Sequence, residues 1–304
     1  MNHIKLWWNI IRPKTLFASA CPVVAGVLLS CNLFTQYCTI SITCCITLLC
    51  ALGLQILSNL INDYYDYKKG SDRKGRIGFK RALAEGEVSI EQMKKAVYIT
   101  LIIVAISGLF LVIKGGLPVL FIGVSAVLFA WLYTATRFSL SYLGIADIFC
   151  FLYYGIFAVF GTVYLCGTGN TICNTENTLH SLQTTLHASS VWLTGAVCGL
   201  ISMTVLMINN LRDIEDDKLV QKKTLPVRFG KTTCEYIVLL YAIAMLVCTF
   251  VAFGLSLTNI IFIPAFMLYQ EICAAKGKQY NTCLFKAGLL NIFFVILLAL
   301  EVFI

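Results

Sequence analysis

The chain has 304 residues, of which 59% are hydrophobic and only 12% are charged, and its formal net charge is +8. A soluble domain is usually about 45–50% apolar and about 25% charged. This composition excludes a disordered protein, a small disulfide scaffold and an ordinary cytosolic enzyme. It predicts a polytopic, all-α membrane protein built as a helical bundle.

Apolar runs of about 20 residues, long enough to cross the hydrocarbon layer of a bilayer, recur along the chain. We interpret nine of them as transmembrane helices, over residues 16–34, 38–61, 96–114, 117–136, 140–166, 189–211, 236–256, 258–275 and 284–304. Helices are expected because an unpaired backbone group is costly in lipid. The whole chain, 1–304, is then a single transmembrane domain.

The basic residues predict the orientation of this bundle. In the nine-span arrangement every one of the 23 Lys and Arg residues except Lys114 falls on the same side. The positive-inside rule makes that side cytosolic. We therefore expect a multi-pass protein of the cell inner membrane with its N-terminus in the cytosol. The net charge of +8 is then explained by the orientation of the protein in the membrane, and no nucleic-acid partner is needed to account for it.

The first of two acidic clusters follows the second span. Asp63, Asp66 and Asp72 lie here, directly after Asn62. If the helix continues past the span, Asn62 and Asp66 are four residues apart and share one face. Ser89 and Gln92, further along the same connection, have the spacing of a capping box and predict where the next helix begins.

The second acidic cluster follows the sixth span, after Asn209. It contains Asp213, Glu215, Asp216 and Asp217, and helical spacing places Asp213 on one face with Asp216 and with Asp217. Hard oxygen donors of this kind suit Mg²⁺, whose coordination is commonly completed by substrate phosphate oxygens. Together the two clusters predict a site for Mg²⁺ and a diphosphate between facing helices.

Other residues add candidates to this site. Basic side chains accompany each cluster, and such cations can bind diphosphate oxygens and stabilise a leaving group, although a purely topogenic role is the alternative. They are Lys68, Lys69, Arg212, Lys222, Lys223 and Arg228. Asp147, at the start of the fifth span, is a candidate because ionisable residues inside spans are commonly functional. Gly195 and Gly199 predict a surface where helices pack closely.

With these motifs, the chain resembles the UbiA superfamily of intramembrane aromatic prenyltransferases. The resemblance rests on two Asp-rich motifs at the ends of the second and sixth of nine helices, Asn62-Asp-x-x-Asp66 and Asp213-x-x-Asp216-Asp217. The family's first motif commonly ends with an Asp at the position of Gly70, whereas this chain has Asp72 instead.

Within that family the chain is most similar to the branch that acts on 1,4-dihydroxy-2-naphthoate. The matching stretches are Arg12–Leu16, Asn62–Gly70, Lys80–Arg81, Tyr133–Thr134, Tyr142–Gly144 with Asp147, Gly161–Thr162 and Asn209–Gly230. The Asn-Arg-Pro-Leu-Pro-Ser-Gly stretch typical of the hydroxybenzoate, haem and chlorophyll branches does not occur in this sequence.

The resemblance implies a Mg²⁺-dependent enzyme that transfers a polyprenyl group from polyprenyl diphosphate to 1,4-dihydroxy-2-naphthoate. Diphosphate and CO₂ are lost, and the product is demethylmenaquinol, in menaquinone biosynthesis. The implied metal ligands are Asn62, Asp66, Asp213, Asp216 and Asp217. The implied catalytic residues are Asp63, Asp66, Asp147, Asp213 and Asp217. The implied substrate-binding residues are Arg12, Lys68, Asp72, Tyr133, Arg137, Asn209, Arg212, Lys223 and Arg228.

Three alternatives are weighed against this interpretation. A prenyltransferase of the same superfamily with another acceptor, such as 4-hydroxybenzoate, has the same motifs. A CDP-alcohol phosphotransferase needs an Asp-Gly-x-x-Ala-Arg stretch, which this sequence lacks. A cation-coupled transporter favours ionisable residues near the bilayer midplane, whereas the acids here crowd one interface. The length of the prenyl chain and the oligomeric state are left open.

Overall fold

The computed structural model describes residues 3–34, 42–71, 81–135, 139–169 and 175–304. Within these ranges the regular secondary structure is helical and includes no strand, as the all-α prediction requires. Asp72 and Arg137, both predicted to bind substrate, lie outside the described residues.

The bundle is built from ten principal helices in the described part of the chain. They are α1 (His3–Ile11), α2 (Phe17–Leu33), α3 (Ile42–Lys68), α4 (Ile90–Leu132), α5 (Ala146–Gly167), α6 (Thr175–His187), α7 (Ser189–Arg212), α8 (Lys231–Phe253), α9 (Leu257–Ala274) and α10 (Gly277–Phe303). Shorter helices in the connections are Leu140–Leu143, Ile214–Leu219 and Leu225–Phe229.

Seven of the helices in the described ranges are long and apolar enough to cross a membrane. They are α3, α4, α5, α7, α8, α9 and α10. The α1–α2 pair, bent by 53°, adds an eighth if it is counted as one span. The chain is therefore a multi-span membrane protein. The expected nine spans count the two halves of α4 separately, and that number stays a prediction.

Helix α4 is interrupted in its middle and folds back on itself. Gly116 has φ 65° and ψ −149°, a conformation that essentially only glycine adopts. A straight helix of 43 residues would be about 64 Å long. Instead, Met93 near its start and Trp131 near its end belong to one hydrophobic cluster with the last turns of α3. Trp131 Nε1 donates a hydrogen bond of 3.2 Å to the Tyr65 hydroxyl.

Two local predictions about helix boundaries are confirmed. Helix α3 continues to Lys68, well past the apolar run, so Asn62 and Asp66 lie in its last turns. Ser89 and Gln92 form a capping box, in which Ser89 Oγ accepts from the Gln92 backbone N–H and Gln92 Oε1 accepts from that of Ser89. This cap fixes the start of α4 at Ile90.

Glycines bring α5 and α7 into close contact, which confirms the predicted packing surface. A Cβ atom on Gly155 would lie 2.4 Å from the Gly195 carbonyl oxygen and 2.5 Å from Gly199 Cα. Gly155 lies in a π-helical turn, Leu152–Ile156, within α5. The close approach holds the start of α5 beside α7, and α7 carries the second acidic cluster at its end.

Candidate active site

Both acidic clusters lie at the mouth of one cavity of about 770 Å³. Asn62 and Asp66, in the last turns of α3, face it from one side, and Asp213 and Asp217, at and beyond the end of α7, face it from the other. We call the end of the bundle that carries these four residues the acidic end. The structure therefore brings the two clusters together, as their spacing led us to expect.

Asp63 anchors two guanidinium groups at this mouth. Its side chain is 2% exposed, and its Oδ1 atom accepts hydrogen bonds from Arg12 and Arg81. Arg12 follows the last turn of α1 in a left-handed backbone conformation, with φ 57°. That turn directs the chain from α1 into α2, while both arginine side chains line the cavity.

Asp66 is the most deeply buried acid of the mouth, with a side chain that is 1% exposed. Its Oδ2 atom lies 3.4 Å from Lys222 Nζ and 3.7 Å from Arg81 Nη2. Its Oδ1 atom is buried and has no hydrogen-bond partner among the described residues, and the same holds for Asn62 Oδ1.

The acids of the second cluster also accept hydrogen bonds from neighbouring side chains. Arg212 donates from Nε and Nη2 to both carboxylate oxygens of Asp213, each at 2.8 Å. Asp217 Oδ2 accepts a hydrogen bond of 3.3 Å from Thr224 Oγ1. Asp213 and Asp217 are 5% and 4% exposed, so each carboxylate depends on such partners for its stability.

Most acids at the mouth are paired with cations among the described residues. Asp63, Asp66 and Asp213 form ion pairs with the cations Arg12, Arg81, Arg212 and Lys222, and Asp217 accepts from the Thr224 hydroxyl. Such pairing offsets the large cost of burying each charge. In the described ranges no three Asp, Glu, His or Cys side chains are close enough to hold a metal ion as they stand.

The donor set nevertheless suits Mg²⁺. Asp66 Oδ1 and Asn62 Oδ1 are both buried, and both residues line the cavity without a hydrogen bond to these two atoms from the described residues. Asp213 and Asp217 line the opposite wall. Hard oxygen atoms of this kind are the ligands that Mg²⁺ takes, usually together with water and phosphate oxygens.

Tyr142 connects three segments beside the mouth. Lys69 Nζ lies 4.7 Å and Lys222 Nζ 5.5 Å from the centre of its ring. Its hydroxyl lies 2.7 Å from Ser71 Oγ, and its carbonyl oxygen accepts from the Lys223 backbone N–H at 3.1 Å. Partial burial lowers the pKa of the Lys69 ammonium from its ordinary value. Tyr142 thus joins the segment after α3 to the segment after α7.

The structure separates the predicted substrate-binding residues into two groups. Arg12, Tyr133, Asn209 and Arg212 line the cavity. Three others are exposed and do not line the cavity, namely Lys68, Lys223 and Arg228. Arg228 instead donates to the backbone carbonyl oxygens of Lys223, at 3.0 Å, and Leu143.

Besides Asp63, two predicted acids lie outside the cavity lining. Asp216 is half-buried, although its neighbour Asp217 lines the cavity. Asp147 is 5% exposed, and its Oδ1 atom has no hydrogen-bond partner in the part of the chain that the structure describes. The roles given to these two residues stay predictions.

Arg81 is not among the candidate site residues of the sequence analysis, and Lys222 is there only as one of the basic residues that accompany the second cluster, yet both contact Asp66. Arg81 lies in one of the stretches that resemble the family, and Lys222 is one of two consecutive lysines after the second cluster. These sequence features pointed to Arg81 and Lys222. They do not distinguish Lys222, which is 8% exposed, from its exposed neighbour Lys223.

Beyond the polar mouth the cavity walls become apolar. They are formed by side chains of α3, α4 and α5, among them Leu54, Val104, Leu111, Ile122, Phe157 and Leu165. A charged mouth followed by a long apolar interior suits an amphiphile with an anionic head and a hydrocarbon tail.

Comparison with known proteins agrees with this geometry. The profile of the UbiA prenyltransferase family matches residues 19–297. The chain is 31% identical to a 1,4-dihydroxy-2-naphthoate octaprenyltransferase of Haemophilus influenzae, over 98% of this chain and 96% of that protein. It is 32% identical to the protein of the same name from Escherichia coli, over 77% and 72% of the two chains.

The fold is also similar to solved structures. A UbiA homolog from Archaeoglobus fulgidus, solved bound to GPP and Mg²⁺, superposes with a TM-score of 0.63 at 14% sequence identity. The superposition covers 98% of this chain and 99% of the other. At this level of identity the likeness establishes the fold.

Proposed function

The chain belongs to the UbiA prenyltransferase family, and on this premise we propose that it prenylates 1,4-dihydroxy-2-naphthoate. The donor is a polyprenyl diphosphate, and the product, after loss of CO₂ and diphosphate, is demethylmenaquinol for menaquinone biosynthesis. One observation carries the proposal: two acid-bearing helix ends, joined through Asp66 and Lys222, form the mouth of a cavity with an apolar interior. Relatives named for this reaction support the choice of acceptor.

The diphosphate head is held by the cations that now pair with the acids of the mouth. Arg12, Arg81, Arg212 and Lys222 all line the cavity. Hydrogen bonds from a guanidinium or ammonium to phosphate are charge-assisted and strong. We propose that the diphosphate takes over part of this pairing, so that oxygen atoms of Asp66 and Asp213 become available as ligands.

Asn62, Asp66, Asp213 and Asp217 would then hold Mg²⁺, with Asp216 and Asp72 assisting. The unpartnered, buried Oδ1 atoms of Asn62 and Asp66 support this assignment. A bound Mg²⁺ supplies positive charge that stabilises the diphosphate as it leaves. The solved relative bound to GPP and Mg²⁺ supports the same pairing of metal and donor.

In the reaction, the bond between C1 of the prenyl group and the diphosphate oxygen breaks, and its electron pair leaves with the diphosphate. The ring carbon of the naphthoate that bears the carboxylate forms the new bond to C1. CO₂ then leaves from that carbon, and its bonding electrons restore the aromatic ring. The apolar walls beyond the mouth exclude water, which would otherwise capture the allylic cation.

We propose that Tyr133 contacts the acceptor at the mouth. It lies just after α4 and lines the cavity. Burial raises the pKa of its hydroxyl well above the ordinary value. The hydroxyl therefore keeps its proton at neutral pH, and we propose that it donates a hydrogen bond to the naphthoate.

We propose that the acidic end faces the cytosol in the cell inner membrane. The distribution of Lys and Arg supports this orientation, because cytosolic loops carry an excess of both. Cysteine substitution at the exposed Lys223, followed by labelling of intact cells with an impermeant reagent, should leave that position unlabelled. Labelling in intact cells would show that the acidic end faces away from the cytosol.

The proposed activity is tested with purified protein, octaprenyl diphosphate and either 1,4-dihydroxy-2-naphthoate or 4-hydroxybenzoate. Prenylated, decarboxylated naphthoquinol should form with Mg²⁺ and disappear in EDTA. Product from 4-hydroxybenzoate alone would overturn the acceptor assignment. A protein that binds the donor but prenylates neither acceptor would overturn the proposed activity.

A further inference from the structure

The cavity is shorter than the donor that the named relatives use. Along α3, its lining runs from Asp66 at the mouth to Thr47, a distance of about 28 Å at about 1.5 Å per residue. A fully extended octaprenyl chain measures about 40 Å, from about 32 main-chain bonds that each advance about 1.3 Å. The distal part of an extended octaprenyl tail therefore does not fit inside.

The wall that faces this tail includes one glycine on each half of α4. Gly108 lies seven residues before Gly115, and Gly123 lies seven residues after Gly116, so the two glycines are level in the hairpin (115 − 108 = 123 − 116). Both line the cavity. Their neighbours on the cavity side, one helical turn away, are also small, Ala105 and Ala126.

Helix packing does not account for these two glycines. A Cβ atom on Gly108 or Gly123 would meet no atom within 4 Å. By contrast, a Cβ on Gly26 or Gly53 would lie 2.7 Å or 2.8 Å from a neighbouring side chain. Glycine inside a helix is less favourable than alanine by about 1 kcal/mol. Helix stability therefore does not explain the two glycines either.

Residues beside these glycines also belong to the exposed surface of α4. Four leucine and valine side chains of α4 line the cavity and are exposed as well. They are Leu109, Leu120, Val124 and Leu128, with exposures of 62%, 42%, 51% and 55%. At this level the cavity wall and the lipid-facing surface of the protein are formed by the same residues.

We propose that the distal part of a long prenyl donor passes between the two halves of α4, and that Gly108 and Gly123 set the longest donor accepted. This inference rests on the proposed prenyltransferase function. Val104, one helical turn before Gly108, packs against α3 at Gly53, where a Cβ would lie 2.8 Å from Val104 Cγ2, and Gly53 lies about 20 Å from Asp66 along α3. A geranyl chain, about 10 Å long, ends well before this level.

The test compares donors of two lengths in Gly108→Leu and Gly123→Leu. Each leucine places its side chain in the open space beside the glycine it replaces, so kcat/KM for octaprenyl diphosphate should fall about tenfold or more, which corresponds to about 1.4 kcal/mol. Geranyl diphosphate binding, followed by titration calorimetry, should stay within about twofold of wild type. Ile106→Trp adds bulk on the exposed face of the same helix. It should change neither kcat/KM for octaprenyl diphosphate nor the binding of geranyl diphosphate.

Gly108→Ala and Gly123→Ala keep the test independent of folding. They add one methyl group where 4 Å is clear, so the proteins should fold and show a smaller loss with the long donor alone. Leucine variants that use octaprenyl diphosphate as well as wild type, or that lose geranyl binding to the same extent, would overturn the inference. A wild-type protein that prenylates nothing would instead reject the proposed function.

Discussion

Lys222 Nζ lies 3.4 Å from Asp66 Oδ2, and this contact joins the segment after α7 to the last turns of α3. Both side chains are buried, with exposures of 10% and 1%. An uncompensated buried charge costs several kcal/mol, so the contact stabilises both residues as long as no ligand is bound. The same lysine also faces the ring of Tyr142, which places it between the acid it neutralises and the segments that border the mouth.

Lys222→Ala should impair donor use far more than Lys223→Ala. The first change removes a buried cation from the cavity wall, whereas Lys223 is exposed and does not line the cavity. We expect kcat/KM for the polyprenyl diphosphate to fall about tenfold to a hundredfold in Lys222→Ala, and less than about threefold in Lys223→Ala. Steady-state kinetics measures both. Equal losses in the two variants would remove Lys222 from the donor site.

Asp66→Ala and Asp213→Ala should each abolish turnover, because each removes an oxygen ligand that lines the cavity. A reduction of at least about a hundredfold is expected for the loss of a group that stabilises charge in the transition state. Glu215→Ala is the matched control, because this acid belongs to the same cluster and its side chain is 78% exposed. Full activity in either aspartate variant, with the protein folded, would exclude the proposed metal site.

Tyr142→Phe and Tyr142→Leu separate the two contacts of this residue. Phenylalanine keeps the ring beside Lys69 and Lys222 and loses only the hydroxyl contact with Ser71. Leucine loses the ring as well. We expect less than about a threefold rise in donor KM for the first variant, and about a tenfold rise for the second. A larger effect from phenylalanine than from leucine would assign the role to the hydroxyl.

Alanine should act in opposite directions at two glycines. In Gly155→Ala the new methyl group would lie 2.4 Å from the Gly195 carbonyl oxygen, so α5 and α7 must separate. Overpacking of this kind costs about 1–3 kcal/mol and should lower the melting temperature. Gly108→Ala meets open space and should leave the melting temperature unchanged or raise it, because alanine favours the helix. Thermal unfolding in detergent compares the two directly.

The acidic part of the site could be predicted because helical periodicity fixes which residues share a face. Asn62 and Asp66 are four residues apart in a helix that continues past its apolar run, and the structure places both on the cavity wall. The same spacing brought Asp213 and Asp217 to the opposite wall. No tertiary information was needed for these four residues beyond the expectation that α3 and α7 face each other.

The cations could not be predicted with the same success, because basic residues in the connections look alike in sequence. Lys222 and Lys223 are adjacent, and only their burial in the folded chain distinguishes them. Arg81 contacts Asp63 and Asp66. Helical periodicity could not predict these contacts, because Arg81 belongs to the connection between α3 and α4. Arg228 was expected at the diphosphate, but its guanidinium donates to backbone carbonyl oxygens.

Two features of the fold also depend on tertiary structure. The reversal of α4 occurs at one glycine, Gly116, whereas hydropathy shows only a short interruption between apolar runs. Helix α6, Thr175–His187, lies in a connection between spans and is too polar and too short for a span. A search for apolar runs therefore gave no reason to predict it.

Release of CO₂ from carboxyl-labelled 1,4-dihydroxy-2-naphthoate tests the central claim most directly. Purified protein with octaprenyl diphosphate and Mg²⁺ should release labelled CO₂ in the same amount as the prenylated naphthoquinol it forms. Omission of the donor, or addition of EDTA, should stop both. A prenylated product that retains the label, or CO₂ release without the donor, would contradict the account.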